Sequence, residues 1–393
     1  MNRSPLSARA AEDRRLLNAR MERIDFNERP FTVVWEVTRA CMLACLHCRA
    51  EAQRRRHPLE LSTEEGKRLL DEIKSFGDPI MVFTGGDPMM RKDLFELLEY
   101  SVRIGLRTSL TPTATRLVTR ERLRRVQEAG VRRIAISLDG PDPETHDFFR
   151  GFPGSFRRTI EILDDAAALG ISLQINTSVT RHNLARLPEM IPLLQRYGIV
   201  QWSVFFLVPT GRGKREDMIS PEEHEQTYHW LWELSQEAPF DIKATAAQAY
   251  RRVAIQRALE ERRRSGSSGP VTFAGAGYRY SDGLHRPAQG VNDGKGIVFV
   301  SHIGEVYPSG FLPICVGNVR EQPLPEIYRN APVLRELRDP SRLKGKCGVC
   351  EFREICGGNR GRAYALTGDY LESDPSCVYL PPAWRERMVL SSS

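Results

Sequence analysis

The chain has 393 residues, of which 41% are hydrophobic and 27% charged, with a formal net charge of +7 and an isoelectric point near 9.0. This length favours a barrel-sized unit with an appended domain, and no apolar run approaches the roughly 20 residues that a membrane span needs. The basic excess, 57 Lys and Arg against 50 Asp and Glu, is spread along the chain and argues against a nucleic-acid partner. The amino terminus lacks the apolar core of a signal peptide, so we expect a cytoplasmic location.

Between about residues 32 and 210, short apolar runs alternate with amphipathic stretches that end in glycine. The runs are FTVVWEV, PIMVFTG, TSLTP, RIAISLDG, SLQINTSV and QWSVFFLV, and the glycines are Gly77, Gly105, Gly130, Gly170 and Gly198. A helix C-terminus favours such a residue because it tolerates positive φ. The first helix begins with Ser62 and Glu65 in capping-box spacing. Strands and helices that alternate in this way predict an α/β fold, a partial (β/α)6 parallel barrel that is open on one side.

Three cysteines follow the first predicted strand, where active residues gather in parallel folds. They are Cys41, Cys45 and Cys48, with the spacing C-x3-C-x2-C. Clustered thiols in a reducing compartment are commonly metal ligands. Three thiolates can hold three irons of a 4Fe-4S cluster and leave the fourth iron without a protein ligand. The alternatives are a zinc loop that lacks its fourth ligand, or cysteines that are buried for packing.

The motif resembles the signature of the radical S-adenosylmethionine (SAM) superfamily. The resemblance implies that SAM chelates the open iron through its amino and carboxylate groups, and that one electron then splits SAM to give a 5′-deoxyadenosyl radical. It also implies a reductant such as flavodoxin or ferredoxin. His47 occupies a position that is often aromatic in this family and would pack near the adenine of SAM. A hydrogen-bonded structural histidine is the other interpretation.

Further segments are similar to this family's SAM-binding motifs, in the expected order. The residues that the resemblance implies in cofactor binding are Gly85, Gly86, Asp87, Pro88, Ser137, Asp139, Arg150, Asn176 and Val208. The first four resemble a GGEP loop that holds the SAM amino group, with Asp in place of Glu. Ser137 and Arg150 match residues that contact the SAM ribose and carboxylate. The alternatives are a simple turn at GGDP, a surface pair between Arg150 and Asp147, and structural roles for the polar strand ends.

The repeated pattern ends near residue 211. Two helical stretches follow, then a Gly- and Ser-rich segment, and then GIVFVSHIGEVYPSG, which predicts a hairpin with its turn at Ile303 and Gly304. We therefore expect an amino-terminal extension over residues 1–30, the barrel over 31–212, a helical linker region over 213–290 and a cysteine-rich domain over 291–393.

The second group of cysteines lies in that last domain. It consists of Cys347, Cys350, Cys356 and Cys377, and four thiolates complete the coordination of one cluster or one zinc ion. The string resembles the SPASM or twitch extension of radical SAM proteins, which implies an auxiliary 4Fe-4S cluster. Its larger form carries seven cysteines, whereas Ser309 and Asn359 stand near two of the expected positions here, so we predict one auxiliary cluster. Cys315 is then either a core residue, or a spare ligand or substrate contact.

The combination of motifs resembles most the group of heme d1 and alternative heme biosynthesis proteins, in which the radical removes hydrogen from a propionate side chain. This resemblance implies a tetrapyrrole substrate. The candidate partners for its carboxylates are Arg212, Lys214, Arg251 and Arg252. Solvated helix arginines would show the same pattern, and the segment IKATAAQAYRR offers no Cys or His for the iron of a heme.

Two alternative functions remain at this point. Modification of a ribosomally made peptide is the alternative within enzymes, although only about 30 residues precede the first strand, which is short for a peptide-recognition domain. A non-catalytic iron–sulfur electron carrier or zinc scaffold is the alternative of another class. The ordered matches to a SAM pocket argue against it.

Overall fold

The computed structural model describes residues 24–266 and 290–391. Most of the predicted amino-terminal extension and of the Gly- and Ser-rich segment lies outside these residues. None of the described helices combines the length and the apolar character that crossing a bilayer requires.

Ten strands within the described residues form one sheet. They are β1 Thr32–Glu36, β2 Ile80–Thr84, β3 Arg107–Leu110, β4 Arg133–Ser137, β5 Leu173–Val179, β6 Gln201–Phe206, β7 Asp241–Thr245, β8 Ile297–Val300, β9 Glu305–Tyr307 and β10 Gly317–Asn318. The order in the sheet is β10-β9-β8-β1-β2-β3-β4-β5-β6-β7. Strands β1 to β7 run parallel, β8 joins β1 in parallel, and β9 and β10 continue antiparallel at the edge. The predicted parallel α/β fold and its six strands are confirmed.

Helices connect the strands in the predicted alternation. The described helices are α1 Thr63–Ser75, α2 Leu94–Arg103, α3 Arg120–Glu128, α4 Pro143–Arg150, α5 Ser155–Ala168, α6 Ile191–Arg196, α7 Pro221–Glu237, α8 Ala249–Ser265, α9 Leu324–Asn330, α10 Pro332–Arg338, α11 Gly345–Gly348, α12 Arg360–Thr367 and α13 Pro382–Ser391. The capping box of α1 is present, and the five predicted glycines all have positive φ, between 54° and 102°. These local signals are confirmed because each depends only on neighbouring residues.

One strand lies where the sequence predicts helices. Strand β7 pairs with β6 in parallel and lies within the region 213–290 that we expected to be a helical linker. The predicted hairpin is confirmed, since β8 and β9 pair antiparallel with Val300 opposite Val306, and Gly304 in the turn has φ +89°.

Alternation along β1 shows how the sheet creates both a core and an interior cavity. Val33 and Trp35 are fully buried in the hydrophobic core. Thr32 and Val34 point to the opposite face and line a cavity inside the barrel. Because side chains alternate across a strand, the same short segment supplies the outer core and the wall of the barrel lumen.

Candidate cofactor and substrate site

The loop after β1 carries the first three cysteines and is closed at its base by the backbone. Cys41 N donates to Gln53 O at 2.7 Å, and Gln53 N donates to Arg39 O at 2.9 Å. Cys41 and Cys45 are buried and Cys48 is partly buried. All three line one cavity of about 200 Å³ at the carboxyl ends of the strands, which we call the cofactor cavity.

The GGDP segment after β2 packs directly on this loop. Gly86 N donates to Thr38 O at 2.8 Å and Asp87 N donates to Ala40 O at 2.6 Å. A Cβ atom on Gly86 would come within 2.5 Å of Ala40 O, so only glycine allows this approach. The two motifs recognised in the sequence are thus parts of one packed unit.

The structure brings most of the predicted cofactor-binding residues to the cofactor cavity. Those that line it are Gly85, Gly86, Ser137, Arg150 and Val208, together with the three cysteines. Asp87, Pro88 and Asp139 do not line it, and Asn176 lines the adjoining cavity in the barrel lumen.

Asp87 directs its carboxylate into the protein. It is fully buried and accepts hydrogen bonds from Thr115 Oγ1 at 2.8 Å and Met89 N at 3.1 Å. Burial raises its pKa to about 6, against the hydrogen bonds that favour the charged form. Pro88 follows as the first residue of a short 3-10 turn that Asp87 caps. Asp87 therefore holds its own loop.

Asp139 acts on the site through Arg150. Its Oδ2 lies 2.6 Å from Arg150 Nη2, and its Oδ1 accepts from Ser178 N at 2.7 Å. Burial alone would raise the pKa of Asp139, but the Arg150 guanidinium, two neighbouring histidines and the hydrogen bond from Ser178 N together hold that pKa below the ordinary value. The surface pair of Arg150 with Asp147 is absent, because Asp147 instead accepts from the backbone of Gly154 and Phe156.

Three polar nitrogens in the cofactor cavity wall have no hydrogen-bond partner among the described residues. They are His47 Nδ1, Arg150 Nε and Arg212 Nη2, and all three are buried. Burial lowers the pKa of His47 to about 4, so its ring is neutral at pH 7 and can face an uncharged base. Buried donors without acceptors are costly, and a ligand that carries a carboxylate, a ribose and a purine would satisfy them. This part of the site fits SAM.

The thiols of the same site fit an iron–sulfur cluster. Burial raises the pKa of Cys41 to about 11 and also raises the pKa of Cys45. Metal binding must displace these protons, which a cluster does by direct ligation. Arg150 Nη1 lies 3.7 Å from Cys45 Sγ, so a positive charge is in place to stabilise the thiolate.

The other four cysteines surround a small cavity of about 20 Å³ in the carboxyl-terminal region, which we call the auxiliary cavity. Cys347, Cys350, Cys356 and Cys377 all line it, together with Arg252 and Lys346. Gly358 N donates to Cys356 Sγ at 3.4 Å, and Arg360 Nη2 lies 3.9 Å from Cys347 Sγ. Donors directed at sulfur stabilise ligating thiolates, so this cavity also fits a cluster.

The remaining residues from the cysteine analysis lie elsewhere. Cys315 is exposed and lines neither cavity, so its interpretation as a core residue is wrong. Asn359 caps α12 by accepting from Arg362 N at 2.6 Å. Ser309 is buried and its hydroxyl accepts from Phe311 N at 3.0 Å.

A second, larger cavity fills the barrel lumen, and sequence reasoning missed it. Its volume is about 350 Å³, within the range of ligand-binding pockets, and it extends from Thr32 and Ile80 at the amino ends of the strands to Thr84 and Thr111 at the carboxyl ends. Among the described residues that line this lumen cavity, four are positively charged and none is Asp or Glu. The charged residues are Arg49, Arg133, Lys243 and Arg251. The available signal was the alternation of polar residues within the strands, such as Gln174 and Asn176 in β5.

The lumen cavity and the cofactor cavity adjoin each other. The residues that line both are Arg49, Thr84, Thr111, Phe205 and Phe311. A molecule in the lumen cavity can therefore reach the cysteine loop without leaving the barrel.

The four predicted carboxylate partners separate in the structure. Arg212 lines the cofactor cavity and its Nε donates to Cys45 O at 2.9 Å, whereas Arg251 lines the lumen cavity. Arg252 lines the auxiliary cavity and pairs with Glu225. Lys214 is exposed on the surface. Only Arg212 and Arg251 of this set face a space that a substrate or SAM could occupy.

Comparison with known proteins connects this geometry to two domain families. Residues 35–194 match the family model described as the radical SAM superfamily, and residues 292–351 match SPASM, described as an iron–sulfur cluster-binding domain. The second match covers β8 to β10 and ends among the auxiliary cysteines.

Curated relatives match along almost the whole chain. An AdoMet-dependent heme synthase of Methanosarcina barkeri is 42% identical over 352 residues, which cover 90% of this chain and 97% of that protein. An Fe-coproporphyrin III synthase of the same organism is 31% identical over 384 residues, which cover 94% of this chain and 92% of that protein.

Among solved structures, Streptococcus suis SuiB bound to its precursor peptide SuiA has a similar fold. The TM-score is 0.66 at 16% identity, with 96% of this chain and 82% of that chain covered. At this identity the likeness concerns the fold alone.

Proposed function

The chain belongs to the radical SAM superfamily and carries a SPASM domain, and from this premise we propose that it converts carboxylate side chains of an iron tetrapyrrole to vinyl groups, as a heme synthase. It is an enzyme that cleaves SAM reductively at a 4Fe-4S cluster. The substrate is the new element of this proposal. The observation that carries it is the lumen cavity, which joins apolar walls to four positive side chains.

The relatives supply the substrate class. The protein named as a heme synthase is similar over nearly its full length, and another relative is named for making Fe-coproporphyrin III. Heme differs from that compound by two vinyl groups in place of two propionates. A flat apolar ring with several carboxylates is the ligand that a lumen with apolar walls and positive charges would bind.

We propose the following roles for the residues of the cofactor cavity. Cys41, Cys45 and Cys48 hold the first cluster. When bound, the cluster and SAM would supply a 5′-deoxyadenosyl radical that takes a hydrogen atom from a propionate side chain; loss of CO₂ would then leave the vinyl group and release one electron, for which an iron–sulfur cluster of the enzyme would be the acceptor. The unpartnered donors of Arg150 and Arg212 bind the polar groups of SAM, and His47 packs against its adenine.

Other side chains position these groups. Asp139 fixes Arg150, and the Asp87 carboxylate fixes the turn of its own GGDP loop. Ser137 and Val208 form the wall beside SAM, and Asn176 faces the lumen where substrate would lie.

The auxiliary cysteines hold an iron–sulfur cluster of the SPASM type in this proposal. Four ligands close the coordination of one cluster, and Cys315 lies apart from them, so we propose one auxiliary cluster. We also propose that the enzyme acts in the cytoplasm with flavodoxin or ferredoxin as reductant. Its eight cysteines are all free, as ligation in a reducing compartment requires.

Peptide modification is the second candidate, and the fold shared with SuiB supports it. The charge of the lumen favours the tetrapyrrole. The positive groups lie inside the barrel between the strands, and a peptide would have to enter the barrel to reach them. The hypothesis of a non-catalytic carrier or zinc scaffold is wrong, because the superfamily to which the chain belongs is defined by SAM cleavage.

The test uses the anaerobically reconstituted enzyme with SAM, dithionite and iron-coproporphyrin III. We expect release of 5′-deoxyadenosine and CO₂, and formation of heme, measured by chromatography and mass spectrometry. Cys48→Ala should abolish all three, whereas Cys315→Ala, which changes an exposed cysteine outside both cavities, should retain them. Release of 5′-deoxyadenosine with an unchanged tetrapyrrole would refute the substrate and leave the SAM chemistry intact.

A further inference from the structure

Arg49 is the charged residue that the lumen cavity and the cofactor cavity share. Of the other positive residues, Arg150 and Arg212 line the cofactor cavity alone, and Arg133, Lys243 and Arg251 line the lumen cavity alone. Arg49 follows Cys48 directly in the chain. Its guanidinium therefore stands where a substrate in the lumen would meet the radical.

The surroundings of Arg49 hold its guanidinium in one orientation. Its Nη1 donates to Glu36 Oε2 at 3.2 Å, and the other oxygen of Glu36 lies 3.0 Å from His302 Nδ1. Its Cζ lies 4.4 Å from the centre of the Phe299 ring, a cation–π contact. Glu36 and His302 are both buried, so this side of Arg49 is fixed by the protein.

Glycine at position 310 makes room for the same group. A Cβ atom there would lie 2.9 Å from Arg49 Nε and 3.1 Å from its Cζ. The hairpin end of the SPASM domain and the cysteine loop thus meet at Arg49. An arginine held by one carboxylate and one ring still has further N–H donors, since a guanidinium carries five.

We propose that Arg49 binds a carboxylate of the substrate at the junction of the two cavities, and so places the adjoining side-chain carbons in the cofactor cavity. This inference rests on the proposed function, and it adds the residue that selects a substrate with a carboxylate near the reacting carbon. Planar two-pronged donors suit carboxylates: Glu36 contacts Arg49 at Nη1, and no Asp or Glu among the described residues lines the lumen cavity itself.

The experiment measures binding before catalysis. Reconstituted enzyme with SAM and no reductant is titrated with iron-coproporphyrin III and, separately, with its tetramethyl ester, and the shift of the Soret band is followed. We expect Arg49→Gln to weaken binding of the acid roughly ten- to a hundredfold, the usual effect of losing hydrogen bonds to a charged group, and to leave binding of the ester unchanged. The matched control is Arg55→Gln, which removes the same charge from an exposed position six residues away and should bind both compounds like wild type.

Catalysis gives a second readout. Arg49→Gln should release 5′-deoxyadenosine with little tetrapyrrole product, because the radical forms beside a misplaced substrate. Iron and sulfide content confirms that the neighbouring cluster is retained. If Arg49→Gln does not hold its cluster, Gly310→Ala tests the same point from another segment, since its Cβ must displace the guanidinium and should weaken binding of the acid alone.

Equal affinity of wild type, Arg49→Gln and Gly310→Ala for the acid would overturn the inference while leaving the proposed function in place. Failure of the proposed function is distinguishable, because the wild-type enzyme would then neither bind iron-coproporphyrin III nor convert it.

Discussion

Asp87 shows how a motif residue can be recognised in the sequence while the direction of its side chain is not. Its place in GGDP marks it as part of the cofactor site, yet its carboxylate accepts hydrogen bonds from Thr115 Oγ1 and from Met89 N instead of facing the cavity. Asp139 behaves in the same way, since its carboxylate contacts Arg150 and Ser178 N and does not line the cofactor cavity. A sequence pattern places a residue at a strand end, but only packing decides whether the side chain faces the cavity or the core.

The buried carboxyl of Asp87 makes stability depend on pH. Its pKa in the folded protein, about 6, lies above the ordinary value of 3.8, so the folded state binds the proton more tightly than the unfolded state does. The contribution of Asp87 to the free energy of unfolding should therefore fall as pH rises from about 4 to about 6, by up to about 3 kcal/mol. Asp87→Asn should remove this decline, because the amide oxygen can still accept from Met89 N and the amide NH₂ can donate to the Thr115 hydroxyl.

Urea denaturation of the metal-free protein across this pH range checks the prediction. The control is Asp78→Asn, which alters an exposed carboxyl whose pKa is lowered by its hydrogen bond to Lys74. That group titrates below the window, so the difference between the control and wild type should stay constant between pH 4 and 6. A parallel result for the two variants would mean that Asp87 is charged throughout.

Helix α1 joins the barrel to the SPASM domain at its first turn. Glu65 completes the capping box by accepting from Ser62 N at 2.7 Å, and it also pairs with Arg320 through both oxygens, at 2.7 and 3.1 Å. The same helix contacts the start of α9, where Leu324 N donates to Glu72 Oε2 at 2.7 Å. The capping signal was visible in the sequence, whereas the pairing with a residue 255 positions away was not.

Glu65→Gln should weaken the contact with Arg320 and keep the cap, because the amide oxygen can still accept from Ser62 N. We expect a loss of about 1 kcal/mol at pH 7, the contribution of a two-pronged pair that is partly exposed. The hydrogen bond from Arg320 lowers the pKa of Glu65 to about 2, so this stability is present above pH 4.5 and is lost as pH falls toward about 2.

Melting temperatures of Glu65→Gln and Glu64→Gln, compared at pH 7 and pH 3, provide the measurement. Glu64 lies in the same turn and loses the same charge, but it is mainly exposed and pairs only with Lys67 among the described residues. It should cost less than about 0.5 kcal/mol. Equal melting temperatures for the two variants at pH 7 would show that the contact with Arg320 contributes nothing.

The amino-acid pattern of strand β7 explains why the sequence predicted a helical linker over residues 213–290 and no strand there. Asp241 and Lys243 alternate with Ile242 and Ala244, and two long helices flank this short segment. Lys243 and Ala244 both line the lumen cavity, so the strand lacks the continuous apolar run expected of a buried parallel strand. A binding cavity inside the barrel removes the hydrophobic signal from the strands that form it, and the sequence alone could not separate this effect from a surface helix.

At the scale of the whole molecule, helix α8 separates the substrate space from the auxiliary site. Arg251 lines the lumen cavity and donates to Ile355 O at 3.1 Å, immediately before Cys356. Its neighbour Arg252 lines the auxiliary cavity. The position of the lumen wall is therefore tied to the segment that holds the auxiliary cysteines.

Loss of the auxiliary cluster should consequently affect the substrate more than SAM. In Cys356→Ala we expect iron content to fall from about eight to about four atoms per chain, and residues 345–380 to become sensitive to proteases, because metal ligation supplies folding free energy to a segment with little core of its own. The first cluster binds through a separate loop, so reductive release of 5′-deoxyadenosine without substrate should persist. Binding of iron-coproporphyrin III should weaken, since Ile355 no longer holds Arg251 in the lumen wall.

Cys315→Ala, which removes an exposed thiol from the same domain, should change none of these quantities. Unchanged tetrapyrrole binding in Cys356→Ala would show that the lumen keeps its shape without the auxiliary site, and that the contact through Arg251 does not couple them.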